Sequence, residues 1–296
     1  MKRQLLGISL SLVVTLANLF QSAGAQQFTQ IPGGVSATSK GITLQVIALC
    51  DDVLRVRVWK GGAVPEDASW AVLASAHTSS VQVVAEPSGF ATKQLRVRVD
   101  DQLRLTVADL AGNKLQEDAA PVQWEGTRFT VSKRRTSNDH FFGLGDKPGP
   151  LDRAGEAFTV WNTDSFGWQE STDPIYKSVP FLLEMSHGRA LGVFLDNTWR
   201  TNFDFGRAKP TEYTFGSVNG PIDYYLIYGP EPKQVVTKWS WLTGPTPLPP
   251  LWSLGFQQSR YTYFPESQLR EIADQFRKDY IPCDVLWLDI DFQHDN

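Results

Sequence analysis

The chain has 296 residues, 42% hydrophobic and 20% charged, the ordinary makeup of a folded protein and enough length for two domains. A net charge of −4 offers no basic stripe, which argues against DNA or RNA as a partner. The four histidines (77, 140, 187, 294) are scattered without an HExxH pattern, and Cys50 and Cys283 lack metal-ligand spacing, so no metal site is expected.

Residues 1–25 read as an export signal. Lys2 and Arg3 form a basic start, Leu5 to Phe20 is mostly apolar, and Ala23-Gly24-Ala25 fits a small-residue cleavage site. A membrane anchor is the alternative, but the run falls short of the ~20 apolar residues needed to span. No later stretch is long and apolar enough. A secreted or periplasmic protein, free of the membrane after cleavage, is therefore expected. In such a compartment Cys50 and Cys283 could pair; the simpler reading is two buried thiols in separate domains.

From Gln26 to about Tyr228, within a first domain taken as residues 26–243, the pattern has period two. Leu54-Arg55-Val56-Arg57-Val58-Trp59 alternates. Leu95–Val99 and Leu103–Val107, separated by Asp100-Asp101-Gln102, predict a hairpin with one buried and one wet face. Further apolar runs lie at Leu44–Leu49, Phe181–Glu184, Leu191–Leu195 and Tyr224–Tyr228. Many short antiparallel strands and no long helix predict a β-sandwich.

The pattern then changes. Pro230 and Pro232 lead into a helix whose Val235, Val236, Trp239 and Leu242 recur at three- and four-residue spacing, with Gly244 as its stop. Gly244-Pro245-Thr246-Pro247-Leu248-Pro249-Pro250 can continue neither helix nor central strand, and marks a stiff linker at a domain boundary.

Residues 244–296 open a second domain. Leu251–Gln257 is a strand candidate. Glu266–Lys278 is an amphipathic helix with Leu269, Ile272, Ala273 and Phe276 on one stripe, stopped by Ile281-Pro282. Val285–Ile290 is nearly all apolar and is expected to be a strand buried on both faces. Strand, helix and strand make a βαβ unit with a right-handed crossover. One such unit cannot cover a parallel pair, so the sequence is expected to be the start of an incomplete α/β barrel or open sheet.

Four stretches could carry chemistry. Asp289 and Asp291 close the last strand on the same side, at a carboxyl end, where parallel barrels build their active sites. Desolvating them is costly without a partner such as a sugar hydroxyl; the alternative is a cap on the following loop. Phe141–Gly149 lacks the third glycine of a dinucleotide fingerprint and reads as turn-forming glycines. Trp161-Asn162-Thr163-Asp164-Ser165-Phe166-Gly167-Trp168 suits stacking on a pyranose with polar groups for its hydroxyls, or equally a turn with buried aromatics. Gln257–Tyr263 is a polar cluster after the other strand, in which Arg260 and Tyr261 could line the same mouth as Asp289 or be ordinary loop polarity.

Four motifs, in order along the chain, resemble glycoside hydrolase family 31: FGLGDKPGPLDRAG, FTVWNTDSFGW, TDPIYKSVPF, and LPPLWSLGFQ followed by WLDID. The resemblance covers roughly Gln26 to Asn296. It implies an N-terminal antiparallel β-sandwich followed by a (β/α)8 barrel, and a retaining α-glucosidase acting on terminal α-linked glucose without a cofactor. The partner implied is an oligosaccharide or α-glucoside. By that resemblance Asp289 binds the sugar in subsite −1, Ile290 and Tyr261 line the pocket, and Asp164 reaches the +1 sugar from a sandwich loop.

Retention needs two carboxyl groups about 5–5.5 Å apart, one attacking and one protonating. The family's pair comes from later barrel strands, so both catalytic residues are expected beyond Asn296 and the chain alone is expected to be inactive. Phe292-Gln293-His294-Asp295 departs from the Tyr-Met-Asp common among relatives, and His294 receives no role. Alternatives are an α-xylosidase, a transglycosylase or a lyase of the same family, or a non-catalytic carbohydrate-binding protein.

Overall fold

A computed structural model describes residues 27–290 and 292; the expected export signal, Asp291 and His294 lie outside the described residues. The chain forms two compact units, one ending at Gly244 and one beginning at Pro245.

The first unit is an antiparallel sandwich. One sheet has eight strands in the order Gln27–Ile31, Gly34–Ser39, Ile42–Cys50, Val53–Lys60, Ile222–Gly229, Arg189–Leu195, Ser178–Ser186 and His140–Gly145. The other has nine, in the order Ala157–Val160, Thr201–Asp204, Glu212–Ser217, Arg128–Arg134, Lys114–Glu125, Leu105–Asp109, Leu95–Val99, Gly89–Ala91 and Val84–Glu86. Alternation drives the assembly: Val35, Val46, Val56 and Leu226 of the first sheet meet Val97, Leu105, Phe129, Phe203 and Phe215 of the second in one core. Each such side chain contributes about 1.5–3 kcal/mol when fully withdrawn from water.

The expected hairpin forms, with Val99 opposite Leu105, and Leu95, Val97 and Val99 facing inward. Its second strand begins two residues later than expected. Leu103 sits in the turn at φ 60°, and the Asp100 carboxylate accepts the Gln102 and Arg104 N–H groups. Strand Val53–Lys60 is buried on both faces, because the following connection covers its Arg side. Arg55 donates to Asp223 Oδ1 at 3.1 Å and Oδ2 at 2.5 Å, and Arg57 donates to the Pro65 and Glu66 carbonyls.

The helix Pro232–Thr243 lies on the outer face of the eight-stranded sheet. Val235 and Leu242 are buried, and Trp239 stacks on Phe181 at 4.4 Å. Val236 is the exception: one position round from Val235, it leaves the apolar stripe and is half exposed. Gly244 ends the helix at φ 95°, its N–H donating to the Ser240 carbonyl.

In the second unit the expected Leu251–Gln257 strand is a 3₁₀ turn, Leu251–Leu254, followed by a two-residue strand, Gln257–Gln258. Pro250 explains the difference: its carbonyl accepts both the Ser253 N–H and the Ser253 hydroxyl, closing a turn where the strand would begin. Helix Glu266–Lys278 forms as expected, with Leu269, Ile272, Ala273 and Phe276 on its less exposed side. The last strand is also short, Val285–Leu286, and pairs in parallel with Gln257–Gln258. Trp287, Leu288 and Ile290 are exposed rather than buried on two faces, because among the described residues this unit offers one short neighbouring strand and one helix as cover. Cys50 and Cys283, one in each unit, are free and partly buried.

Candidate functional site: the strand ends and the Asp164 loop

Two backbone bonds extend the parallel pair, the first at its amino edge and the second at its carboxyl edge. Asp284 N–H donates to the Phe256 carbonyl at 2.9 Å, and Trp287 N–H to the Gln258 carbonyl at 3.0 Å. The Trp287 indole N–H adds a 2.7 Å bond to Gln257 Oε1, tying the two strand ends together. Gly255 lies close to Asp284: a Cβ there would sit 1.8 Å from Asp284 Oδ2, so a side chain at 255 would displace that exposed carboxylate.

Tyr261 follows the first strand by three residues, and Asp289 follows the second by three. Both therefore leave the same edge of one parallel pair. Asp289 is exposed, and Oδ1 accepts the Ile290 N–H at 2.8 Å. That bond orients the carboxylate and leaves Oδ2 without a partner among the described residues. Tyr261 and Ile290 are likewise exposed. Tyr263 is the buried member of the cluster: its hydroxyl accepts from Gln258 Nε2 at 2.9 Å, while the Arg260 guanidinium sits 5.8 Å from its ring centre. Arg260 is thus turned to Tyr263, and the edge offers an open carboxylate, a phenol and an aliphatic side chain.

Asp164 belongs to the first unit, on the loop joining Ala157–Val160 to Ser178–Ser186. The loop is pinned at several points. Asn162 Oδ1 accepts the Ser178 N–H, the Ser165 hydroxyl donates to the Pro174 carbonyl, and Asp173 Oδ2 accepts the Thr159 N–H. Asp164, Phe166 and Trp168 are left exposed at its tip. The aromatic residues at its tip are therefore displayed, and the loop is no turn with its aromatics buried.

The residue that composition did not reveal is Lys147. Its ammonium, almost wholly buried, donates to Asp173 Oδ1 at 2.6 Å and to the Thr159 carbonyl at 2.5 Å, clamping the base of the Asp164 loop. The glycine-rich segment before it is structural, as expected. Gly143 and Gly145 have φ of 116° and 81°, and a Cβ would meet the Phe181 and Lys177 carbonyls at 2.6 and 2.5 Å. The one available signal was the position of Lys147 directly after these glycines.

A sandwich leading into a parallel β/α unit, with a carboxylate and a tyrosine leaving its carboxyl edge, fits the opening of a barrel that builds its site at that face. Residues 43–204 match the glycosyl hydrolase 31 N-terminal galactose mutarotase-like domain, and residues 246–296 match the glycosyl hydrolases family 31 TIM-barrel domain. The chain belongs to glycoside hydrolase family 31. It is 44% identical over 204 residues to alpha-glucosidase 2 of Bacillus thermoamyloliquefaciens, covering 68% of this chain and 25% of that protein. It is 28% identical over 218 residues to alpha-xylosidase XylQ of Lactiplantibacillus pentosus, covering 72% of this chain and 28% of that one. A mutant Flavobacterium johnsoniae GH31 dextranase solved with isomaltotriose superposes with a TM-score of 0.83 at 32% identity, covering 92% of this chain and 34% of the dextranase. The chain thus spans about a quarter to a third of the length of these relatives.

Proposed function

We propose that the protein carrying this chain is an exported, retaining α-glucosidase that releases non-reducing terminal α-linked glucose without a cofactor. In this reading Asp289 holds hydroxyls of the sugar in subsite −1, Ile290 and Tyr261 line that pocket, and Asp164 bonds the +1 sugar. The observation that carries it is the shared carboxyl edge of Asp289 and Tyr261, with Asp289 Oδ2 open to accept. Its similarity to alpha-glucosidase 2 favours glucose as the sugar. We assign neither of the two bond-breaking carboxyl groups to this chain.

A carboxylate accepting two sugar hydroxyls adds binding that strengthens as charge develops at the anomeric carbon. In the enzyme with its complete barrel, Asp289→Ala is expected to lower kcat/KM for 4-nitrophenyl α-glucoside about 10³-fold, given about 1.5–3 kcal/mol for each charge-assisted bond lost. Activity within about threefold of the parent would remove Asp289 from the site. A parent enzyme that cleaves the α-xyloside in preference to the α-glucoside would replace glucose with xylose as the substrate.

A further inference from the structure

The connection leaving strand Val53–Lys60 forms a strap, residues 61–79, across the two buried guanidiniums of that strand. Of its apolar side chains only Val72 and Ala76 are buried, so polar fastenings hold it. Arg57 donates to the Pro65 and Glu66 carbonyls, and Arg55 reaches Asp67 Oδ1 at 2.6 Å while holding Asp223 of the neighbouring strand. The Ser69 hydroxyl bonds the Asp196 carboxyl and accepts the Ala71 and Val72 N–H groups. The Leu73 N–H donates to the Leu242 carbonyl at 3.0 Å, and His77 Nε2 lies 3.0 Å from the Tyr225 hydroxyl. A segment held by polar contacts over little buried apolar area is one that lifts locally.

The charges beneath the strap do not balance. Two guanidiniums, Arg55 and Arg57, face three carboxyl groups, Asp67, Asp196 and Asp223. One proton would balance them, and two groups can take it. Asp196 is pushed up to about 6, first by burial and further by Asp223 and Asp67, against the Ser69 hydroxyl and Arg55. His77 is held below its usual value, first by burial and then by Arg55 and Arg57, against Asp223 and against Asp67, which lies 3.5 Å from its Nδ1. The other charges nearby are turned elsewhere: Lys238 of helix Pro232–Thr243 pairs with Asp52, Lys60 lies over the Trp124 ring, and Glu66 is exposed.

Lifting the strap returns both groups to water, with opposite results. Asp196 then releases its proton more readily, so its contribution to seating is complete below 3.8 and is lost as pH rises through about 6. His77 then takes a proton more readily, so its contribution is complete above 6.5 and is lost as pH falls below that value. We propose that the strap is a proton-balanced latch, in which Asp196 on the sheet side and His77 on the strap side offset one another and keep it seated as its surroundings acidify. Pro65, Glu66, Ala68, Ser69 and Trp70 of the strap form one wall of a hollow of about 610 Å³, so the latch holds the shape of that hollow.

The test is hydrogen exchange of the Leu73 amide in the purified chain, corrected for the intrinsic effect of pH and read between about pH 7 and 5. With His77→Gln, which keeps an acceptor for the Tyr225 hydroxyl, Asp196 acts alone, and protection is expected to rise about tenfold on acidification. With Asp196→Asn, a neutral stand-in for the protonated carboxyl, protection is expected to fall on acidification. The parent should lie between the two. In all three chains Leu73 should exchange faster than the amides of strand Arg128–Arg134 in the other sheet, because the strap lifts without unfolding the sandwich. Protection of Leu73 that stays flat in both variants, or that follows pH in the same direction in both, overturns the proposal. So does protection of Leu73 equal to that of strand Arg128–Arg134, which would leave no separate opening of the strap.

Discussion

Lys133 Nζ lies 2.6 Å from Asp118 Oδ1, and both side chains are closed inside the sandwich. They are cross-strand partners. Lys133 also donates to the Tyr224 hydroxyl at 3.1 Å, and Asp118 Oδ2 accepts the Leu105 N–H at 2.7 Å. Burial opposes the Lys133 charge, but Asp118 and Tyr224 outweigh it and raise the pKa. Removing one partner leaves a stranded charge. Lys133→Met is therefore expected to cost about 3–5 kcal/mol, read as a lower urea midpoint. Lys133→Met with Asp118→Leu should recover only part of that loss, because the Leu105 N–H then has no acceptor.

Glu184 gives a pH signature. Its carboxyl is buried, accepts from the Tyr213 hydroxyl at 2.9 Å, and is pushed up to about 8, first by burial and further by Asp139, against the bond from Tyr213. The unfolded chain titrates this group near 4.5, so the folded chain binds the extra proton between the two values. The contribution to stability is complete below pH 4.5 and is lost as pH rises through 8. Glu184→Gln keeps an acceptor for Tyr213 and removes the titration. Its stability relative to the parent is expected to rise by about 1.4 kcal/mol per pH unit between pH 5 and 7. A difference that stays flat in paired urea titrations would show that Glu184 is ionised in the fold.

Gly192 sits where helix Pro232–Thr243 meets the sheet. A Cβ there would lie 2.7 Å from Val235 Cγ1 and 2.9 Å from the Phe181 ring. Both neighbours belong to a packed cluster with Leu242 and Ile227, so neither yields freely. Gly192→Ala is expected to cost about 1–3 kcal/mol through overpacking. Near-ultraviolet circular dichroism should report the accompanying loss of the Phe181–Trp239 stack.

What could be read in advance followed from local periodicity. Val235, Trp239 and Leu242 announced a helix with Gly244 as its end, and Leu95–Val99 announced a strand with one wet face. What could not be read depends on distant partners. The alternation of Arg55 and Arg57 resembles a solvated face until Asp223, far along the chain, arrives beside them. The apolar run at Val285–Ile290 has the composition of a buried strand, but burial needs neighbours that periodicity does not count. In the Asp164 loop, composition left display of the aromatics and a turn that buries them equally open, and gave no sign that Lys147 clamps its base. Trp161 and Trp199 share a cavity because Val160 and Thr201, distant in sequence, pair in one sheet.

The Lys147 clamp makes the role proposed for Asp164 separable from simple loop integrity. If Asp164 bonds a hydroxyl of the +1 sugar, its loss matters for maltose, which has hydroxyls there, and little for an aryl glucoside, which has none. In the enzyme with its complete barrel, Asp164→Ala is expected to lower kcat/KM for maltose about tenfold, the loss of one charge-assisted bond, and to spare 4-nitrophenyl α-glucoside. Lys147→Met acts differently. It removes the bonds to Asp173 and the Thr159 carbonyl, leaving the Asp173 carboxylate without its cation, so the loop loosens as a whole. Its expected effect is a higher KM for maltose, faster proteolysis within residues 161–177 and a lower melting temperature, whereas Asp164→Ala should leave the last two unchanged. Equal loss on both substrates with Asp164→Ala would mean that its carboxylate acts in some way other than through a hydroxyl of the leaving sugar.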